Sequence, residues 1–131
     1  MEIIKCWEEP GELINEPFKR HIKLFYGPDK RNIPELNFTQ AIIYPGNGTD
    51  YHLHDRPELI YVVHGKGTAI CEGEEFPIET DCVFWVPTGM MHQVNNTGDE
   101  TLKLATIFVP GYTREEHITR IRKAAEAAQK K

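Results

Sequence analysis

The sequence predicts an all-β fold, a sandwich or barrel of short strands, followed by one short C-terminal helix. Between residues 36 and 112, short apolar runs alternate with turns rich in Gly, Pro, Asn and Asp. This spacing is typical of antiparallel strands joined by tight turns, and it disfavours βαβ units. After Pro110 and Gly111 the composition changes to Ala, Glu, Lys and Arg, which are residues that favour a helix.

We expect the 131 residues to form a single domain with three parts. Residues 1–35 carry irregular short strands, at 2–7 and 18–26, and would form an arm that covers the edge of a sheet or crosses to a neighbouring subunit. Residues 36–112 form the barrel, and residues 113–131 form the helix. The barrel strands are predicted at residues 38–44, 51–54, 59–63, 68–71, 76–78, 82–86, 92–94 and 102–109.

The predicted helix has an N-terminal signal. Thr113, followed three residues later by Glu116, is the pattern of a capping box, in which each side chain binds the backbone amide of the other residue. A weak apolar stripe at helical spacing comes next, formed by Ile118, Ile121, Ala125 and Ala128. We therefore expect this helix to pack through the stripe, with His117 at the surface.

Composition and charge exclude several classes of partner. Lys and Arg number 15 against 20 Asp and Glu, a net charge of −5, so neither nucleic acid nor an anionic membrane is an expected partner. No run approaches about 18 apolar residues, and no signal-peptide pattern opens the chain. The three cysteines lack CxxC spacing and are expected to be reduced. These features predict a cytoplasmic protein.

The strongest chemical signal is a set of three histidines and one glutamate: His52, His54, Glu58 and His92. His52 and His54 are two residues apart, so on a strand both imidazoles face the same side. Glu58 opens the next apolar run with the same parity, and His92 follows a turn where a new strand begins. Such ligands suit one divalent transition metal ion, namely iron, manganese, nickel, cobalt, copper or zinc. The alternative is a barrel that holds these residues without an ion.

The same stretch contains two spaced motifs. The first consists of Gly46, His52, His54, Glu58 and Gly65, and the second of Pro87, Gly89, His92 and Asn96. Together they resemble the two motifs of the cupin superfamily, with Asp81 standing where the second motif has a glycine. The resemblance implies a cupin jelly-roll barrel and implies that the three histidines and Glu58 bind one metal ion inside it. It does not by itself name a reaction, because this fold serves many functions.

Strand parity extends the prediction to the residues around the metal. If Glu58 faces inward, Ile60 does too, and on the last strand Phe108 shares the inner face with Leu102, Leu104 and Thr106. On residues 38–44, Gln40 and Tyr44 share one face with Phe38 and Ile42, and these two polar residues become candidates for substrate hydrogen bonds if that face is the inner one. The predicted substrate-binding residues are Gln40, Tyr44, Ile60 and Phe108.

The catalytic residues stay unassigned, and three side chains are candidates for moving a proton: Glu58, Tyr44 and His64. His64 is also explained as a residue that caps a turn. Four protein ligands leave one or two positions on the metal for water, oxygen or a small-molecule substrate. Oxygen chemistry of the dioxygenase type is slightly favoured; a non-redox isomerase or lyase acting on a sugar or hydroxy acid, and a binding module without turnover, are the alternatives.

A homodimer is implied by the resemblance, since small cupins commonly pair their barrels through a sheet face. Outward-facing Tyr61 and Val63, together with Trp7 in the N-terminal segment, would supply apolar surface for such a contact.

Overall fold

A computed structural model describes residues 1–130 and shows an all-β fold with one C-terminal helix. The strands, in chain order, are β1 (Glu12–Ile14), β2 (Arg20–Tyr26), β3 (Asn37–Ile43), β4 (Glu58–His64), β5 (Lys66–Cys71), β6 (Glu74–Glu79), β7 (Val83–Val86), β8 (His92–Asn95) and β9 (Leu102–Phe108). A 3-10 helix, Cys6–Glu8, precedes them, and α1 (Arg114–Gln129) follows.

The strands form two antiparallel sheets that enclose the barrel. One sheet has the order β1-β2-β3-β9-β4-β7, and the other has the order β6-β5-β8. This architecture confirms the predicted fold class. Strands β3, β9 and β4 lie side by side although they are far apart in sequence, so the centre of the larger sheet depends on long-range pairing.

Two predicted strands are wrong. Residues 2–7 do not form a strand, and Cys6–Glu8 turns as a 3-10 helix instead. Residues 51–54 are irregular apart from a single bridge, in which His52 and His92 exchange backbone hydrogen bonds of 3.0 and 2.8 Å. The short polar stretch that follows these residues offers no alternating pattern to extend the pairing.

Alternation along β4 and β9 is as predicted. Glu58, Ile60 and Val62 are buried on β4, and the buried residues of β9 are Leu102, Leu104, Thr106 and Phe108. Full burial of an aliphatic side chain stabilises a fold by about 1.5–3 kcal/mol, so this inward row is a major part of the core.

The predicted inner face of β3 is wrong. Register pairs Thr39 with Thr106 and Ala41 with Leu104, which turns Thr39 and Ala41 to the interior. Gln40 consequently points to the opposite side of the sheet. The two faces of this strand are similarly apolar, so its sequence alone does not distinguish them.

Helix α1 begins where the capping box predicts. The Thr113 side chain accepts a hydrogen bond from the Glu116 amide, and the Glu116 side chain accepts one from the Thr113 amide. A second core cluster then joins the helix to β1 and β2, and its members are Ile14, Ile22, Ile118, Ile121 and Ala125. The helix ends at Gln129, and Lys131, included in the predicted helix, lies outside the described residues.

Within residues 1–130, no helix combines the length and apolar character needed to cross a bilayer. Cys6, Cys71 and Cys82 are all free thiols and are half-buried.

Candidate metal centre

Three histidines converge at one end of the barrel interior. His52, His54 and His92 each offer a ring nitrogen, and these atoms lie within 4.8 Å of one another. The bridge between His52 and His92 joins the loop before β4 to the start of β8. The Gly89 amide donates a 2.9 Å hydrogen bond to the His54 carbonyl oxygen, which ties the turn before His92 to the same loop. Backbone contacts therefore hold the three rings together.

Glu58 completes the cluster from the first position of β4. Its Oε1 lies 3.2 Å from His92 Nε2 and 3.7 Å from His54 Nε2. His52 Nε2 lies 2.9 Å from His54 Nε2. His54, Glu58 and His92 are buried and His52 is half-buried, so bulk water does not separate these groups.

Hydrogen bonds on the far side of two rings determine which nitrogens face the centre. His52 Nδ1 lies 2.6 Å from the Asp50 carbonyl oxygen, and His92 Nδ1 lies 2.9 Å from the Met90 carbonyl oxygen. A carbonyl oxygen only accepts hydrogen bonds, so each Nδ1 carries the proton and each Nε2 presents a lone pair. Lone pairs and a carboxylate that point at one another are favourable around a cation, and this donor set fits a divalent transition metal ion.

Burial keeps the His52 and His54 imidazoles neutral; for His92 burial acts in the same direction, but the adjacent Glu58 carboxylate leaves its pKa raised. Burial lowers the pKa of His52 to about 3 and that of His54 to about 2, and the nearby cationic groups, Arg120 among them, contribute in the same direction. Burial also raises the pKa of Glu58. Neutral imidazole is the form that binds metal ions, so His52 and His54 need no deprotonation at neutral pH. A cation would also offset the cost of burying the Glu58 carboxylate.

A partly buried ion pair lies behind His52. Arg120 of α1 donates a hydrogen bond of 3.0 Å from Nη1 to Asp50 Oδ2, and that oxygen lies 3.6 Å from His52 Nδ1. Partners of this kind orient a metal-binding imidazole and raise its basicity. The C-terminal helix is therefore part of the construction of the site.

The cluster opens into a small cavity of about 50 Å³. Aliphatic residues of both sheets and of α1 form much of its wall, which also includes the four candidate ligands. Thr39 and Thr106 contact each other through their hydroxyl groups there. The remaining polar lining residues are Arg20, Thr49 and His117.

Of the other predicted site residues, some lie beside the metal-site cavity and the rest lie away from it. Ile60 lines the cavity, and the ring of Phe108 lies 4.7 Å from that of His54, measured between centroids. Tyr44 lies outside the cavity, where its hydroxyl is 2.8 Å from His21 Nδ1, and Gln40 lies on the opposite face from the lining residues of β3. His64 is exposed and pairs with Glu100. The geometry thus separates Gln40, Tyr44 and His64 from the candidate metal ligands.

Two residues that border the site were not predicted. His117, expected at the surface, lines the cavity with its ring centroid 5.2 Å from that of Phe108 and 6.3 Å from that of His54. Its spacing contained a usable signal, since His117 lies one helical turn before buried Ile121. Arg20 has no such signal, because its place depends on the pairing of β2 with β3.

A family model and several known proteins are similar to this chain. The family model "Cupin domain" matches residues 40–109. A glucose-6-phosphate isomerase of Thermococcus gammatolerans is 33% identical over 88 residues, which cover 56% of this chain and 47% of that protein. An oxalate-binding protein of Thermotoga maritima is 26% identical over 73 residues, 55% of this chain and 60% of its own.

Solved structures share this fold. A predicted oxalate decarboxylase from Thermotoga maritima superposes with a TM-score of 0.77 at 19% identity, over 83% of this chain and 99% of the other. That likeness concerns the fold. The chain spans about half the length of the first relatives that it matches by sequence.

Proposed function

Because the chain belongs to the cupin family, we propose that His52, His54, Glu58 and His92 bind one divalent metal ion and that a small organic substrate is bound at that ion. The observation that carries this proposal is the convergence of Nε2 lone pairs and a carboxylate oxygen in a buried cluster. The bound ion would act as a Lewis acid on a substrate oxygen.

The chain's own residues would orient the metal ligands, exclude water and move a proton. His52 and His92 are oriented by the carbonyl oxygens of Asp50 and Met90, and the aliphatic wall of the cavity excludes water from the substrate. His117 replaces Tyr44 and His64 as a candidate for moving a proton, because it lines the cavity and its ring lies beside those of His54 and Phe108. Glu58 is reserved for the metal.

We propose an enzyme, and two reaction classes are to be separated. The similarity to a glucose-6-phosphate isomerase favours non-redox chemistry, an isomerase or lyase acting on a sugar or hydroxy acid. The N/O ligand set also fits oxygen chemistry of the dioxygenase type. The similarity to an oxalate-binding protein favours a third role, a module that binds an organic acid without turnover.

Metal analysis tests the common premise. Protein purified without a histidine tag should contain close to one equivalent of a transition metal, and the Glu58→Gln variant should contain much less. Equal metal content in the two proteins would contradict the proposal.

Metal replacement then separates the roles. Zinc-loaded protein should keep a non-redox activity and should not consume oxygen, whereas a dioxygenase would need iron, nickel, manganese or copper and would take up oxygen in step with substrate loss. A module that only binds would retain its ligand unchanged in either form.

We also propose a homodimer formed through the outer face of the larger sheet. Tyr61, Val83 and Trp85 are 38%, 60% and 55% exposed there, and they lie on the paired strands β4 and β7. An apolar surface of this kind is typical of a subunit contact. Light scattering should give twice the chain mass, and Trp85→Glu should lower this value to the mass of the monomer. The variant Trp7→Glu tests separately whether the N-terminal segment takes part in the contact.

A cytoplasmic location is a further part of the proposal. It is supported by the three free thiols, which fit a reducing compartment. Fractionation of cells that express the full chain tests it, and recovery in an extracellular fraction would contradict it.

A further inference from the structure

Arg20 is a buried cation in the wall of the metal-site cavity. It is the first residue of β2, it is 3% exposed, and it lines the same cavity as the four candidate ligands. Burial lowers its pKa to about 10, so the guanidinium remains charged at neutral pH. Its side chain makes one hydrogen bond within residues 1–130, of 2.9 Å from Nη1 to the Phe18 carbonyl oxygen. A buried guanidinium has five N–H donors, and this leaves most of them without a protein acceptor.

The acidic residues near Arg20 contact other side chains. Asp50 Oδ2 accepts a hydrogen bond from Arg120, while Asp50 Oδ1 has no hydrogen-bond partner within residues 1–130. Glu58 Oε1 lies 3.2 Å from His92 Nε2. Among the described residues no carboxylate lies within 4.0 Å of an Arg20 nitrogen. Leaving a buried charge unpaired is costly. The protein itself supplies no carboxylate that pairs with Arg20, so an anionic ligand would reduce this cost.

The net charge of the cavity also favours an anionic ligand. Arg120 and Asp50 neutralise each other, and Glu58 offsets one positive charge. A divalent ion together with Arg20 therefore leaves the cavity about two charges positive, which favours an anionic ligand over a neutral one.

We propose that Arg20 binds the substrate in this cavity. The substrate is a small organic acid, and its carboxylate pairs with the Arg20 guanidinium. The inference rests on the proposed metal-binding function and adds a substrate class to it. A guanidinium binds a carboxylate through two parallel hydrogen bonds, a geometry that a lysine does not offer.

The size of the cavity restricts the acid. A cavity of about 50 Å³ holds only a few water molecules, since each water needs about 10–15 Å³. Thr39 and Thr106 supply hydroxyl groups on the wall, suited to a second oxygen of the ligand. A short hydroxy or keto acid fits this space better than a sugar phosphate.

Titration calorimetry on cobalt(II)-loaded protein tests the proposal, with glycolate as the carboxylate probe, glycolamide as its neutral analogue, and inorganic phosphate as the other anion. The wild type should bind glycolate more tightly than glycolamide and phosphate. Arg20→Met should weaken glycolate binding by roughly 10- to 100-fold and change glycolamide binding little, since a hydrogen bond to a charged group is lost. The control, Arg122→Met, removes an exposed arginine of α1 and should bind glycolate as the wild type does.

The outcomes separate the two proposals. If the wild type takes up no cobalt, the metal-binding function fails and this inference fails with it. If Arg20→Met takes up one equivalent of cobalt and still binds glycolate as the wild type does, only the role of Arg20 is overturned. Tighter binding of phosphate than of glycolate in the wild type would overturn the carboxylate assignment. If Arg20→Met does not fold, Arg20→Lys decides, because an unchanged affinity for glycolate would contradict the proposed paired geometry.

Discussion

Two histidine–glutamate pairs of this protein differ far more in solvent exposure than in the distance between their atoms. His92 and Glu58 lie 3.2 Å apart inside the barrel, with side chains 3% and 9% exposed. His64 and Glu100 lie closer, at 2.8 Å, but their side chains are 57% and 67% exposed. The buried pair has two more imidazoles beside it, whereas the exposed pair lies at a surface turn. Distance alone would rank these pairs in the wrong order for function.

Solvent explains the difference. An exposed pair exchanges its contacts with water and contributes at most about 1 kcal/mol. In the interior, groups that lose water must be compensated by one another or by a bound ion, so their arrangement has a large energetic effect. The burial of several convergent ligands, rather than a single short contact, therefore marks the candidate site.

The largest effect is expected at the buried glutamate. Glu58→Gln keeps the shape of the side chain and removes its charge, and we expect metal affinity to fall at least about 100-fold, because changes outside the ligands alone cost 10- to 100-fold. Competition with a metallochromic chelator measures this change. Glu100→Gln is the matched control in the exposed pair, and an equal loss there would refute the distinction between the pairs.

A second effect concerns acid stability and His117. Its pKa is about 3 in the fold, lowered first by burial, against about 6.5 in the unfolded chain. Between these values the unfolded chain binds more protons at this residue, so His117 lowers stability as the pH falls from about 6.5 towards 3, by at most about 1.4 kcal/mol per pH unit.

Urea unfolding of chelator-treated protein at pH 7.5, 6 and 5 tests this prediction. The free energy of unfolding of His117→Gln should fall less steeply below pH 6.5 than that of the wild type. Parallel pH profiles for the two proteins would show that His117 is not buried as a neutral ring.

A smaller effect is expected from the ion pair behind His52. Asp50→Asn removes the negative charge between Arg120 and His52, which leaves the positive charge of Arg120 uncompensated near the metal. We expect metal affinity to fall by about 10-fold. Asp99→Asn, an exposed substitution, is the control, and an unchanged affinity in Asp50→Asn would mean that Arg120 has no influence on the ion.

The smallest effect is expected in the exposed pair itself. His64→Gln should change the free energy of unfolding by less than about 0.5 kcal/mol and leave metal affinity unchanged. Thermal unfolding and the same chelator competition measure both quantities. A loss of metal in this variant would show that His64 contributes to metal binding.

Strand parity predicts side-chain orientation correctly where a candidate ligand fixes the inner face and incorrectly where none does. On β4, an inward-facing Glu58 implies by parity that Ile60 and Val62 face inward as well, and both are buried. On β3 the alternating sets are equally apolar, and the register with β9, not the local pattern, turned Thr39 inward and Gln40 away. A parity argument therefore needs one residue whose orientation is fixed independently, or a clear polar contrast between the two faces.

By itself, the sequence determined the β-rich fold, the capped C-terminal helix and the identity of the candidate metal ligands. Turn residues, the capping box and the histidine motif are local or regularly spaced signals that act over a few residues. Only the tertiary structure decided that Arg20, His117 and Arg120 border or support the same site. These residues come from β2 and α1 at opposite ends of the chain, and packing across about a hundred residues brings them together around the barrel.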